Sequence, residues 1–215
     1  MRLRLATFHA FALAHLPSAP ARVLEVGCGN GELALALADD GYDVTAIDPR
    51  APEGAIFRAT RLEDFDDADG FDAVLASVSL HHVESLDAAF AKIASLLRPD
   101  GILVLEEFAK ERITGGTARW YFHQRQALSA LNDDPHLSDD FDAWLDEWHT
   151  RHDEVHTLTD LRRALDARFV ERHVEAGPYL YDHWLHDTVE PVERALVDAG
   201  AIEAVGFRYF GALRA

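Results

Sequence analysis

The chain has 215 residues, enough for one domain with a sizeable core, and its composition of 48% hydrophobic and 27% charged residues is that of a soluble globular protein. Its 38 Asp and Glu outnumber 20 Lys and Arg, a formal net charge of -18; this disfavours nucleic acid and anionic membranes as partners, since their phosphates need neutralising cations. Cys28 is the single cysteine, which excludes an internal disulfide, and no apolar run is long enough to span a bilayer, so the expected compartment is the cytoplasm.

Arg2 and Arg4, the apolar run that follows, and Ala19-Pro20-Ala21 have the outline of a signal peptide. His9 and His15 interrupt that run, and Phe8, Phe11 and Ala12 fall at helical spacing, which predicts an amphipathic N-terminal helix closed by Pro17 and Pro20. Residues 23–26 read as a strand running into Gly27-Cys28-Gly29-Asn30-Gly31, and a helix follows to Asp39, with Gly41 as its stop. A strand that ends in a tight glycine turn and feeds a helix brings bare backbone close to a ligand. Cys28, between two glycines, reads as a small residue tolerated in the turn rather than a reactive thiol.

Residues 42–47 form a second strand ending at Asp48-Pro49. Asp48 lies 21 positions after Gly27, the distance at which a second strand delivers a carboxylate to ribose hydroxyls. Further strands are predicted at 55–58, 71–76 and 102–107, with Arg61 to Asp64 as a turn and a helix over 86–97 that Arg98-Pro99-Asp100-Gly101 breaks. Strands alternating with helices imply a mainly parallel sheet covered on both faces. A helix is predicted from Thr117 to Leu131; then 132–154 carries nine acids and one arginine. Within it Phe141, Trp144, Leu145 and Trp148 recur at i, i+3, i+4 and i+7, an amphipathic helix rather than an acidic tail. A helix at 158–165, strands at 168–175 and 202–210 and a helix at 192–199 complete the chain. The expected fold is a Rossmann-like α/β domain over 1–215, a seven-stranded sheet flanked by helices, with an N-terminal helix within 1–20 and a helical insert at about 112–156 between strands 5 and 6.

A dinucleotide-binding turn is expected to read G-x-G-x-x-G, but Glu32 stands at the third glycine's place, where it competes electrostatically with a pyrophosphate for the helix N-terminus. Glu25, inside the strand, suits a ligand ammonium. Together with Asp48 these residues suit a cofactor that has ribose and a cationic end but no phosphate. Only two lysines are present; Lys92 follows Ala88 and Lys110 follows Glu106 at i-4, so no Tyr-x-x-x-Lys pair exists, and neither belongs to a GxxxxGK loop. No G-x-S-x-G elbow appears.

The stretch from Val23 to Phe108 resembles the class I S-adenosylmethionine-dependent methyltransferases of the small-molecule type. The pattern is carried by Val23-Leu24-Glu25-Val26-Gly27-Cys28-Gly29-Asn30-Gly31, by Asp48, by Phe71-Asp72-Ala73-Val74 with Leu80-His81-His82-Val83, and by Leu97-Arg98-Pro99-Asp100-Gly101-Ile102-Leu103. The resemblance implies S-adenosylmethionine as cofactor: Glu25, Gly27 and Gly29 contacting its methionine end, Asp48 holding the ribose and Arg61 and Leu62 flanking adenine, with Cys28, Pro49 and Ser77 also among the cofactor-binding residues. Thr60 stands where the family often has an aspartate for the adenine amino group, which leaves that role to backbone amides or Asp64, and Asp100 replaces a common glycine in a turn far from the ligand.

Methyl transfer to a hydroxyl needs a base, and histidine is suited by its pKa. His82 follows the fourth strand at the carboxyl edge, where ligands bind in open α/β sheets. His152, at i+4 from Trp148, is the second candidate, as a base, a substrate contact or a core histidine. His149, His152 and His156 would align if one helix carried all three, but no further ligand is specified and no metal is expected. Strand alternation predicts that one of Glu106 and Glu107 points into the cleft and the other away. Glu106, Trp120 and His156 are the candidate acceptor contacts, and the insert is expected to act as a substrate lid. The expected activity is methyl transfer to an oxygen or nitrogen of a small molecule, the alternatives being a non-catalytic S-adenosylmethionine-binding protein and a nicotinamide-dependent oxidoreductase. The oligomeric state is left open.

Overall fold

The computed structural model describes residues 1–129 and 137–214. Helix α1 (Leu3–His15) is followed by β1 (Arg22–Val26), α2 (Glu32–Asp39), β2 (Asp43–Asp48), β3 (Phe57–Ala59), β4 (Phe71–Ser77), α3 (Leu86–Leu96) and β5 (Leu97–Phe108). Then come α4 (Gly115–Leu128), α5 (Phe141–Arg151), α6 (Leu158–Asp166), β6 (Phe169–Gly177), α7 (Glu190–Asp198) and β7 (Gly206–Leu213). The strands form one sheet in the order β3-β2-β1-β4-β5-β7-β6, mostly parallel with one antiparallel hairpin, as the Rossmann-like expectation requires. The last two positions of the predicted helix to Leu131 fall outside the described residues.

Strand β1 is central, with Val23 in register with Val44 of β2 and Ala73 of β4. Its Val23 shares one core cluster with α1 and α2, whose inward faces give Phe8, Phe11 and Ala12, and Leu33, Ala34 and Leu37, to it. The N-terminal run is thus a helix held by its apolar stripe, as its spacing predicts.

Two compact units divide the chain. The first comprises Met1–Glu107, Thr159–Glu175 and Arg208–Ala215; the second comprises Phe108–Leu158 and Ala176–Phe207. In the second, Asp140 caps α5 by accepting from the Ala143 amide at 2.8 Å, and Trp144 and Trp148 are buried against Tyr121 and Phe122 of α4. The four-residue apolar stripe therefore does form one helix face.

Two boundaries depart from the sequence reading. Strand β5 begins at Leu97, not after Gly101, because Arg98 to Gly101 are taken up as an irregularity between the pairs Phe71↔Leu97 and Ala73↔Ile102. Strand β7 begins at Gly206, since the backbone before it is bonded elsewhere: Glu203 N donates to Thr117 Oγ1, the Ala204 carbonyl accepts from Arg112, and the Val205 carbonyl accepts from Ala109 N. No described helix is long and apolar enough to cross a membrane.

Candidate cofactor site and active centre

The glycine turn is built by three left-handed residues: φ is 76° at Gly27, 52° at Gly29 and 81° at Gly31. Gly27 also needs its missing side chain, because a Cβ there would lie 2.3 Å from the Ser79 Cβ. The turn is pinned to the next strand, with the Gly27 and Cys28 amides donating to the Ile47 carbonyl at 2.8 and 3.1 Å. Asp48 is oriented from the same side: its carboxylate accepts from Gly29 N at 3.1 Å and Arg50 N at 2.8 Å. An acid that crosses from the end of β2 to the glycine turn defines the floor of a cleft.

That cleft has a volume of about 810 Å³ and is lined by Gly27, Gly29, Asp48, Pro49, Arg61 and Leu62, together with Thr60, Asp64, Val78, Ser79 and His82. A second cavity of about 210 Å³ shares Gly27 and Gly29 and adds Glu25, Cys28 and Ser77, with Arg2 and Arg4 from the N-terminal segment. All nine residues that the sequence assigns to the cofactor line one of these two cavities. Thr60 and Asp64, the adenine departure and its stand-in, line the larger.

Glu25 decides what the smaller cavity suits. It is 3% exposed, and its Oε2 has no hydrogen-bond partner among the described residues. Burial, with the negative charge of Asp48 nearby, pushes its pKa up to about 8; an amide bond from Ala34 offsets only part of this. A buried carboxyl with an unsatisfied oxygen is costly unless a ligand supplies a donor, and a ligand ammonium supplies both donor and charge. An acid at the end of β2, a glycine turn and an unsatisfied carboxyl within two cavities that share Gly27 and Gly29 fit S-adenosylmethionine. Cys28, its thiol pushed up to about 12 by burial and the charges of Glu25 and Asp48, stays protonated and serves as packing.

A family model described as "Methyltransferase domain" matches residues 1–168. The chain belongs to the methyltransferase family. It is a class I S-adenosylmethionine-dependent enzyme with S-adenosylmethionine as its cofactor. An uncharacterized methyltransferase of Mycobacterium bovis is 35% identical over 143 residues, 59% of this chain and 71% of that protein. A ubiquinone biosynthesis O-methyltransferase of Xanthomonas axonopodis pv. citri is 39% identical over 111 residues, 44% of this chain; the chain spans only 46% of that protein's length. A ubiquinone biosynthesis O-methyltransferase of Rhodopseudomonas palustris is 33% identical over 97 residues, and the chain spans only 38% of its length. Among solved structures, the N-methyltransferase NodS of Bradyrhizobium japonicum with S-adenosyl-L-homocysteine shares the fold at a TM-score of 0.58 and 15% identity, covering 99% of this chain and 86% of that one.

The methyltransferase's remaining site residues are distributed as follows. His82 is exposed on the cleft wall, where partial desolvation and the neighbouring His81 hold its pKa below the ordinary histidine value, so its imidazole is neutral near pH 7. Glu106 and Glu107 are both buried, at 3% and 2% exposure, which corrects the expectation that one faces away. Both faces of β5 are covered here. The Glu106 carboxylate is engaged by Arg4 and by Arg208, and accepts from Ser77 Oγ. Glu107 bonds the turn after β4.

Trp120, His152 and His156 belong to the second unit. Helix α5 ends at Arg151, and His152 is its C-cap, with Nδ1 donating to the Trp148 carbonyl at 2.8 Å and its ring stacked on Trp148 at 3.8 Å. The alignment of His149, His152 and His156 along one helix is therefore overturned, since His156 lies beyond the helix end. Among the described residues no group of three or more histidine, cysteine or acidic side chains is placed to hold a metal ion. Sequence reasoning missed the cleft residues Val78 and Ser79. Ser79 carries no local signal, and Val78 has φ 51°, a left-handed conformation that a β-branched residue gives no reason to expect.

Proposed function

We propose that the enzyme methylates an oxygen or nitrogen of a neutral or cationic small molecule, with His82 as the base. Bound in the cleft, S-adenosylmethionine supplies an electrophilic methyl group on its sulfonium. The chain's residues hold that donor and deprotonate the acceptor: Asp48 positions the ribose, the glycine turn borders the methionine end, Glu25 takes the ammonium, and His82 receives the acceptor's proton. The observation that carries this reading is the His82 imidazole on the wall of the cleft that Asp48 and Gly27 define, where partial desolvation and His81 hold its pKa below the ordinary histidine value. A net charge of -18 supports an acceptor that is not polyanionic. The similarity to proteins named ubiquinone biosynthesis O-methyltransferases supports an oxygen acceptor. Trp120, His152, His156 and Glu106 are proposed to contribute to acceptor choice.

The test is methyl transfer from labelled S-adenosylmethionine to a panel of phenols, catechols and amines. His82→Ala should lower kcat on a hydroxyl acceptor by about 10²–10⁴-fold, the range of general base catalysis, while binding of S-adenosylhomocysteine stays within a few-fold. Unchanged kcat on every accepted hydroxyl substrate removes His82 from the role.

A further inference from the structure

Strands β4 and β5 end side by side, with Ser77 in register with Glu106. The turn that leaves β4 must then bend sharply to bring His82 to the cleft. Val78 adopts φ 51°, a left-handed conformation that a β-branched residue keeps only where the surroundings impose it. What imposes it comes chiefly from the end of β5. The Val78 amide donates to the Glu106 carbonyl at 2.8 Å. One Glu107 carboxylate oxygen accepts from the Ser79 amide at 2.9 Å and the Leu80 amide at 2.7 Å; the other bonds His81 Nδ1 at 2.8 Å. Ser79 Oγ adds a bond to the Val26 carbonyl at 2.8 Å, next to the glycine turn. His81 is 7% exposed, and its ring centroid lies 4.1 Å from that of His82.

Glu107 does not itself line the cleft, yet every residue it holds precedes His82 directly. We propose that Glu107 is the positioning residue for His82, hanging the turn from two main-chain amides and the His81 ring so that the next imidazole stands on the cleft wall. This rests on the reading of His82 as the base. The reach of the carboxylate, more than its charge, does the positioning, because the Ser79 and Leu80 amides lose this acceptor when it is withdrawn. The charged groups near His82 are His81 and Glu107, and the cleft also holds Asp48, Arg50, Arg61, Glu63, Asp64 and Glu84.

Two substitutions in the full chain separate reach from charge. Glu107→Asp keeps the charge and withdraws it by one carbon–carbon bond, about 1.5 Å; Glu107→Gln keeps the reach and removes the charge. The readout is an NMR titration of the imidazoles, assigned with His82→Asn, with and without S-adenosylhomocysteine. Positioning predicts that Glu107→Asp releases the turn, moves the His82 midpoint up toward the ordinary value of about 6.5, and diminishes the response of His82 to S-adenosylhomocysteine. It predicts that Glu107→Gln preserves that response and lowers the midpoint, since the negative charge that raises it is gone. A His82 unchanged in Glu107→Asp overturns the proposal, as does loss of the response in folded Glu107→Gln, which decides alone if the aspartate variant does not fold. If His82 of the wild-type chain does not respond to S-adenosylhomocysteine, the reading of the cleft fails instead, a separate outcome.

Discussion

Glu25 allows the cofactor site to be tested by pH alone. In the free protein its pKa stands at about 8, raised first by burial and then by Asp48. An ammonium seated on it stabilises the carboxylate, so cofactor binding must expel a proton wherever the free carboxyl is protonated. From a pKa of about 8 the ionised fraction is roughly 1% at pH 6 and 50% at pH 8. The dissociation constant for S-adenosylhomocysteine should therefore fall by about 50-fold between pH 6 and pH 8, close to tenfold over the first unit, and level off above. Calorimetry at pH 7 in buffers of different ionisation enthalpy should show about 0.9 proton released per cofactor bound. The sign for stability is opposite. The folded state holds this proton more tightly than the unfolded chain, so the stability present below about 4.5 is lost progressively up to about pH 8 in the free protein. Glu25→Gln should abolish the slope, weaken binding by about 10–100-fold for a lost charged hydrogen bond of 1.5–3 kcal/mol, and raise the apo protein's Tm at pH 8. A dissociation constant independent of pH from 6 to 8 in the wild-type protein refutes the assignment.

Gly27→Ala places a Cβ 2.3 Å from the Ser79 Cβ at φ +76°, so calorimetry should show destabilisation beyond the 1–2 kcal/mol of a left-handed alanine, together with lost cofactor binding. Asp100, at φ 64°, occupies a conformation that glycine adopts freely; Asp100→Gly should raise stability by about 0.5–1 kcal/mol in urea denaturation without changing cofactor affinity. With a net charge of -18, self-repulsion should be relieved by screening, and Tm should climb as KCl rises from 0.01 to 1 M, where the Debye length shrinks from about 30 to 3 Å. A Tm that falls across that range contradicts the last expectation.

Where local pattern and tertiary packing agree, the sequence was legible. The stripe of Phe8, Phe11 and Ala12 is buried on α1, Trp144 and Trp148 are buried on α5, and Gly27 to Asp48 assemble at the carboxyl ends of β1 and β2. Where a contact distant in sequence decides, it was not. The burial of both Glu106 and Glu107 depends on Arg4, Arg208 and the turn after β4, which lie up to 102 positions away. Val78 is forced left-handed by its neighbours rather than by its own preference. The end of α5 at Arg151 carries no glycine or proline signal, so a periodic reading runs through it to His156. The onset of β7 is set by side-chain and loop partners of residues 203–205, which periodicity does not see.

The central claim, that the glycine turn and Asp48 hold S-adenosylmethionine, is tested most directly by thermal unfolding with S-adenosylhomocysteine, comparing the wild-type chain with Asp48→Ala. At 100 times its dissociation constant the ligand should stabilise the wild-type protein by about 2.7 kcal/mol, which for a chain of this size raises Tm by roughly 5–11 °C. The same concentration should give Asp48→Ala a markedly smaller shift. No shift in the wild-type protein, or an equal shift in both, contradicts the account.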